Sequence, residues 1–223
     1  NVVLILADDL GLGDVRCYQP GNRFQTPEID RIAREGLRMT NAHAPHSVCS
    51  PTRYAVLTGR YCWRTFLREG VLPGYAKPLI AKRRMTLASL LKQRGYATGA
   101  FGKWHIGMGW TPVKGDPGDF HYGSQIHASG SALAAISRRV NHAAPISGGP
   151  TDLGFDTFFG TPSNRGRIPV FIRDNRVVGS PLRNKSGLMH DPTMRADTVD
   201  DLYAEEAVRF IEKAAKQKMP FFV

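Results

Sequence analysis

Cysteine is scarce in this chain: three residues in 223, Cys17, Cys49 and Cys62, with no Cys-x-x-Cys pair. That excludes a disulfide framework and the paired thiols of zinc ribbons and dithiol redox sites. Long apolar runs are missing too. The longest, residues 2–7, falls far short of the ~20 residues that a membrane-spanning helix needs, so no membrane contact is expected. No segment has the zones of a signal peptide. Acidic residues are few, 19 against 30 Lys and Arg, for a formal net charge of +11. Such a surplus suits nucleic acid, an anionic polymer or a small anion. Continuous basic runs, zinc-finger spacing and RNA-binding aromatic motifs are absent. The expectation is therefore no nucleic acid, and an anion of another kind. Internal repeats are absent, and the length suits one good-sized core or two small ones.

What is present alternates between two patterns. Residues 2–7, rich in branched side chains, read as a buried parallel strand. It ends in Asp8-Asp9 and a glycine-punctuated turn. Thr26-Pro27 starts a helix that stops at Gly36, and a short strand follows at residues 37–42. Thr86 caps a helix over Leu87, Leu90 and Leu91, ending near Gly95, and residues 96–105 form a strand. From 108 to 149 the pattern dissolves into Gly, Ser, Ala and His, which reads as a mobile insertion or lid. Residues 170–178 form a hairpin turning at Asp174-Asn175, and residues 197–216 a final helix before the strand start Phe221-Phe222. The expected fold is α/β: a layered α/β/α sandwich on a mostly parallel central sheet.

Three blocks carry chemistry. Asp8 and Asp9 stand at the carboxyl end of the first strand, where open α/β sheets bind ligands, and adjacent carboxylates repel until a cation relieves them. In solvent they are equally two turn residues. Cys49-Ser50-Pro51-Thr52-Arg53, followed by Thr58-Gly59-Arg60, puts a cysteine ahead of a proline-started helix, where free N–H groups and the dipole favour anions. The same residues suit an ordinary helix start, with Ser50 as N-cap and Gly59 at the end. In Gly102-Lys103-Trp104-His105-Ile106-Gly107, strand alternation would point Lys103 and His105 together, one a fixed charge and the other a proton carrier.

Taken in order and register, these blocks resemble the type I sulfatases of the alkaline-phosphatase-like superfamily, whose signature is Cys-x-Pro-x-Arg followed by Thr-Gly-Arg. The resemblance covers roughly residues 1–107, 150–160 and the closing helix and strand. The chain is thereby identified as the N-terminal part of one catalytic domain, 1–223, with an insertion at about 108–149. It implies a sulfuric ester hydrolase in which Cys49 is oxidised to formylglycine, whose hydrate attacks sulfur. It further implies one calcium ion held by Asp8, Asp9 and residue 49. Arg53 would hold the modified residue, Lys103 the sulfate, His105 the formylglycine hydroxyls, and Arg60 would support the site from behind. Implied partners are a sulfated small molecule or glycan and a formylglycine-generating or maturase enzyme.

The family pattern continues past Val223, to another histidine, an Asp-Asn metal pair and a second lysine, so these residues alone are expected to be inactive. Asp174-Asn175 and His190 are read as turn and loop residues rather than substitutes. The chain opens at Asn1 directly on the apolar run, so an export signal is expected ahead of it, as in periplasmic, extracellular or lysosomal members. Substrate choice is expected in residues 108–149, with His121, His127, Arg138, Arg139 and His142. Cys17 and Cys62 could pair. Two other readings stay open: a phosphatase or phosphonate hydrolase of the same superfamily, and a non-catalytic binder of sulfated glycans with Cys49 unmodified.

Overall fold

Proline at a first helical position gives up an N–H that has no partner there anyway, and Pro27 does so in helix α1, Pro27–Glu35. The computed structural model describes residues 1–115, 130–164 and 166–223. Helix α1 belongs to the smaller of two units, Ile5–Ser47. Thr26 does not cap it with a side-chain bond. Its Oγ1 accepts from the Arg16 N–H at 3.0 Å instead. Gly36 closes the helix by donating to Ile32 at 2.9 Å. The strand expected at 37–42 does not form. Apolar residues there find no ladder partner among the described residues, and the Met39 carbonyl accepts from the Tyr18 hydroxyl at 2.8 Å.

The larger unit joins Asn1–Leu4 to Val48–Val223. Its helices are α2 (Cys49–Thr58), α3 (Leu87–Lys92), α4 (Gly130–Arg139) and α5 (Val199–Lys216). Its main sheet comprises β1 (Ala97–Lys103), β2 (Thr157–Thr161), β3 (Phe171–Arg173), β4 (Arg176–Val178) and β7 (Phe221–Phe222), in the order β4-β3-β2-β1-β7. Two short strands, β5 (Leu182–Arg183) and β6 (Met189–His190), pair separately. Strands β2, β1 and β7 run parallel, while β3 and β4 form the antiparallel hairpin expected at Asp174-Asn175. The Asp174 carboxylate accepts from Thr157 Oγ1 at 2.8 Å and the Phe158 N–H at 2.9 Å, so it ties the hairpin to β2 and is not a spare metal ligand. His190 likewise bonds the Leu182 carbonyl at 2.9 Å.

The run at 2–7 is not the buried strand that its composition predicts: all six residues are exposed, and only Val2 bridges, in parallel to Phe222. Val2 and Leu4 donate to Phe221 and Val223, each at 2.8 Å, along the outer edge of β7. No strand pairs beyond them among the described residues, and Val3 stays 55% exposed. Branched residues favour a strand, but burial needs neighbours on both sides.

Aromatic residues from the parallel strands and their loops centre the core. Trp104 meets Phe155 and Phe158 edge-on, at 6.4 and 6.2 Å between ring centres. Strands β1 and β2 approach closely because Gly160 faces Gly102; a Cβ on Gly160 would come within 1.8 Å of the Gly102 carbonyl. The described parts of 108–149 are not a loose lid. Met108, Trp110, Leu133, Ile136, Val140 and Ile146 are all buried in the same core. His121 and His127 lie outside the described residues.

Candidate active site

Helix α2 begins at Cys49 itself, two residues earlier than an N-cap at Ser50 would put it. Val48, in extended conformation, precedes the helix and makes no side-chain cap. Cys49 therefore stands in the first turn, among N–H groups with no helical partner, and no acidic residue competes for the dipole there. Gly59 ends the helix as expected, in the left-handed conformation at φ 65°.

Relieved of capping, Ser50 does something the sequence does not announce. It is fully buried. Its hydroxyl donates to the His105 carbonyl at 2.7 Å and accepts from the Leu72 N–H at 3.1 Å. One small side chain thus joins the start of α2, the segment after β1 and the loop at Leu72. The only sequence clue is that the variable position of Cys-x-Pro-x-Arg holds a small hydrogen-bonding residue.

Strand β1 ends at Lys103 and delivers its ammonium to the helix start, where Nζ lies 3.1 Å from Cys49 Sγ. Arg53, one turn into α2, donates to the backbone carbonyl of Lys103. The guanidinium thus holds the strand end that presents the lysine. Cys49 is half-buried, whereas Cys62 is buried. Burial pushes the Cys62 thiol up, partly opposed by the Thr65 hydroxyl, which disfavours it as a nucleophile. All three cysteines are free.

His105 does not follow strand alternation. Its φ of 56° turns the backbone out of β geometry. The imidazole is 3% exposed, with Nε2 2.9 Å from the Leu72 carbonyl oxygen. A carbonyl only accepts, so Nε2 carries the hydrogen, and in the neutral ring Nδ1 holds the lone pair. Trp104 between them is buried and donates from Nε1 to the Gly107 carbonyl at 3.0 Å. The N–H groups of Trp104 and His105 donate to the Thr161 and Pro162 carbonyls at 2.9 and 3.1 Å, which ties the motif to the end of β2.

The structure therefore brings Cys49, Arg53, Lys103 and His105 to one corner, at the carboxyl end of β1. Asp8 and Asp9 fall in the other unit, in the bend after the apolar run, with Asp9 left-handed at φ 61°. Their adjacent carboxylates are hard oxygen donors suited to a hard divalent cation. Among the described residues no group of three or more His, Cys, Asp or Glu is placed to hold a metal. Arg60 follows Gly59, and its buried Nε has no acceptor among the described residues. Arg138 donates to the Ser186 carbonyl. His142, expected to help choose substrate, is instead buried with Nε2 3.0 Å from the Tyr75 hydroxyl. No helix among the described residues is long and apolar enough to cross a membrane.

Comparison with known proteins adds an independent line. A family profile described as Sulfatase matches residues 1–223. The N-acetylgalactosamine-6-O-sulfatase of Bacteroides thetaiotaomicron is 37% identical over 180 residues, covering 80% of this chain and 30% of that protein. Human arylsulfatase A is 46% identical over 110 residues, 49% of this chain and 21% of its own length. A solved sulfatase structure, from work on glycosaminoglycan metabolism by Bacteroides thetaiotaomicron, superposes on the whole chain. Its TM-score is 0.76 at 27% identity, and the chain covers 49% of it. The chain thus spans under a third of these curated relatives and about half of that solved structure.

Proposed function

The chain belongs to the sulfatase family, and on that premise we propose that it carries the nucleophile-bearing part of an enzyme that hydrolyses sulfate esters. The observation that supports this most is the Lys103 ammonium set 3.1 Å from the Cys49 sulfur at a helix N-terminus. Two sources of positive charge converge on one side chain, as a tetrahedral anion requires.

Sulfatases work with a formylglycine and a divalent metal. Residue 49 is the position proposed to become formylglycine, whose hydrated aldehyde would supply a hydroxyl nucleophile and a second hydroxyl to release the sulfate. Asp8 and Asp9, with residue 49, would hold the cation, proposed to be calcium, which would supply positive charge to the reacting sulfate. Six to eight oxygens are usual for calcium, so further donors must complete the shell. The chain's own residues do the rest. Lys103 binds sulfuryl oxygens and holds negative charge near residue 49. Arg53 fixes the strand end that carries Lys103. Ser50 locks the His105 backbone to the helix start, and His105, with its hydrogen on Nε2, offers Nδ1 as the proton-accepting atom.

The proposed substrate is a sulfated glycan or small molecule, and the proposed modifying partner a formylglycine-generating or maturase enzyme. Export to the periplasm, cell exterior or lysosome fits this chemistry. In the full-length protein, Cys49→Ala should abolish turnover of nitrophenyl sulfate and leave folding intact. Mass spectrometry of the peptide bearing residue 49 should find the aldehyde. Retained turnover by the variant would refute the assignment, an unmodified thiol would favour a binder, and faster cleavage of nitrophenyl phosphate would favour a phosphatase.

A further inference from the structure

Just past α2 the chain holds two aromatic rings in solvent on a stiff base. Tyr61 and Trp63 stack with ring centres 4.1 Å apart and planes 13° from parallel. Even so, they remain 52% and 50% exposed. Stacking on each other hides one face of each ring and leaves the outer faces open. The backbone beneath is pinned. Cys62 and Leu67 are buried at 5% and 1% exposure. Thr65 donates from both its N–H and its hydroxyl to the Cys62 carbonyl, at 2.9 and 2.7 Å. Arg68 donates to the Trp63 carbonyl at 2.9 Å, and Arg64, next in sequence to Trp63, is exposed.

A single exposed aromatic needs no explanation, but a pair held rigid in water is a surface with its ordering cost already met. Its occupant must offer a flat apolar face and negative charge. A pyranose ring has axial C–H groups that lie flat on an aromatic face, and its sulfates meet guanidinium groups that bind such oxygens in pairs. The plate is too small for a protein interface of ordinary size.

We propose that Tyr61 and Trp63, with Arg64 and Arg68, form a binding plate for a sugar ring of a sulfated polysaccharide, separate from the reacting corner. Helix α2 has ten residues, so at 1.5 Å per residue its ends are about 15 Å apart. The plate lies beyond one end and Cys49 at the other, a separation on the scale of a few sugar rings of one glycan chain. This deepens the sulfate-ester reading and rests on it for the nature of the substrate.

The test uses full-length protein and chondroitin sulfate, intact or chemically desulfated. Trp63→Ala should weaken binding of the intact chain about tenfold, the scale of one lost aromatic contact. It should raise KM on that polymer without changing kcat or nitrophenyl sulfate turnover, while Trp63→Phe keeps most of the affinity. Arg64→Gln should narrow the difference between intact and desulfated chains. Failure of the wild type to bind, or equal binding by Trp63→Ala, overturns the plate; so does burial of the plate by the rest of the protein. Loss of nitrophenyl sulfate turnover in the wild type would instead sink the sulfate-ester reading, and the binding comparison would still decide the plate.

Discussion

At Lys103 backbone and side chain can be separated. The Arg53 guanidinium binds the residue's carbonyl, while the ammonium reaches the Cys49 sulfur. Substituting Lys103 by Met keeps the first contact and deletes the second. The expected result is a loss of about 10²–10³-fold in kcat/KM, the size of one preorganised donor removed from a reacting anion, with an unchanged urea midpoint. A lysine serving only to hold the fold would shift the midpoint too. Ser50 should behave in the opposite way. Its hydroxyl is buried with both a donor and an acceptor bond to fixed backbone. Ser50→Ala leaves the Leu72 N–H and the His105 carbonyl short of a partner, at a cost of about 1–3 kcal/mol, readable in denaturant. Activity should fall with it, because the loops at 72 and 105 lose their common tie.

Among the elements, the segment after β1 is the most tightly constrained. Gly107 has φ 76°, and a Cβ there would sit 2.0 Å from the Lys77 carbonyl oxygen. The neighbouring bonds, Leu79 N–H to Ile106 and Met108 N–H to Ala76, leave the backbone no room to retreat. Gly107→Ala should therefore cost about 1–3 kcal/mol. Gly166→Ala, with nothing within 4 Å of its added carbon, should stay within about 0.5 kcal/mol; equal effects in urea titrations would refute the packing argument. Elements specified locally were legible in the sequence. Thr86 does cap α3, accepting from the Ser89 N–H at 3.0 Å, and Asp174-Asn175 does turn the hairpin. Elements that depend on distant partners were not. Residues 37–42 lack a ladder neighbour, and the 2–7 run finds one on a single side only. Helix α4 was missed although Leu133, Ile136 and Ser137 recur at helical spacing and are all buried, because the surrounding Gly and Ser read as loop. The corner of Cys49, Arg53 and Lys103 was legible as a set. The inward turn of His105 was not, since a positive φ at a histidine leaves no mark in residue type.

At the scale of the larger unit, the fold carries a buried titratable pair that contributes to its pH dependence. Tyr75 donates to Ser137 Oγ at 3.0 Å and meets His142 Nε2 at the same distance. Burial holds His142 down to about 4, with the Arg183 charge acting the same way and the Val140 carbonyl opposing. Burial pushes Tyr75 up to about 12, against the Ser137 bond and the Arg183 charge. A histidine released by unfolding takes a proton near pH 6.5 that the folded ring refuses until about 4. Its contribution to stability is thus complete above pH 6.5 and drains away between there and about 4. Tyr75 acts at the other end. The unfolded phenol ionises near 10 and the folded one near 12, so stability falls as pH rises through that interval. Other groups also shape the acid limb, among them Asp156, which burial pushes up but the Lys92 and Thr98 bonds pull below its usual range. The contribution of His142 therefore has to be read as a difference. His142→Gln keeps a polar group near Tyr75 that does not titrate, so it should lower stability at pH 7.5 yet lose less than the wild type between pH 7 and pH 5. Parallel declines of the two proteins in urea midpoint across that range would mean that His142 is not the group the folded state keeps neutral.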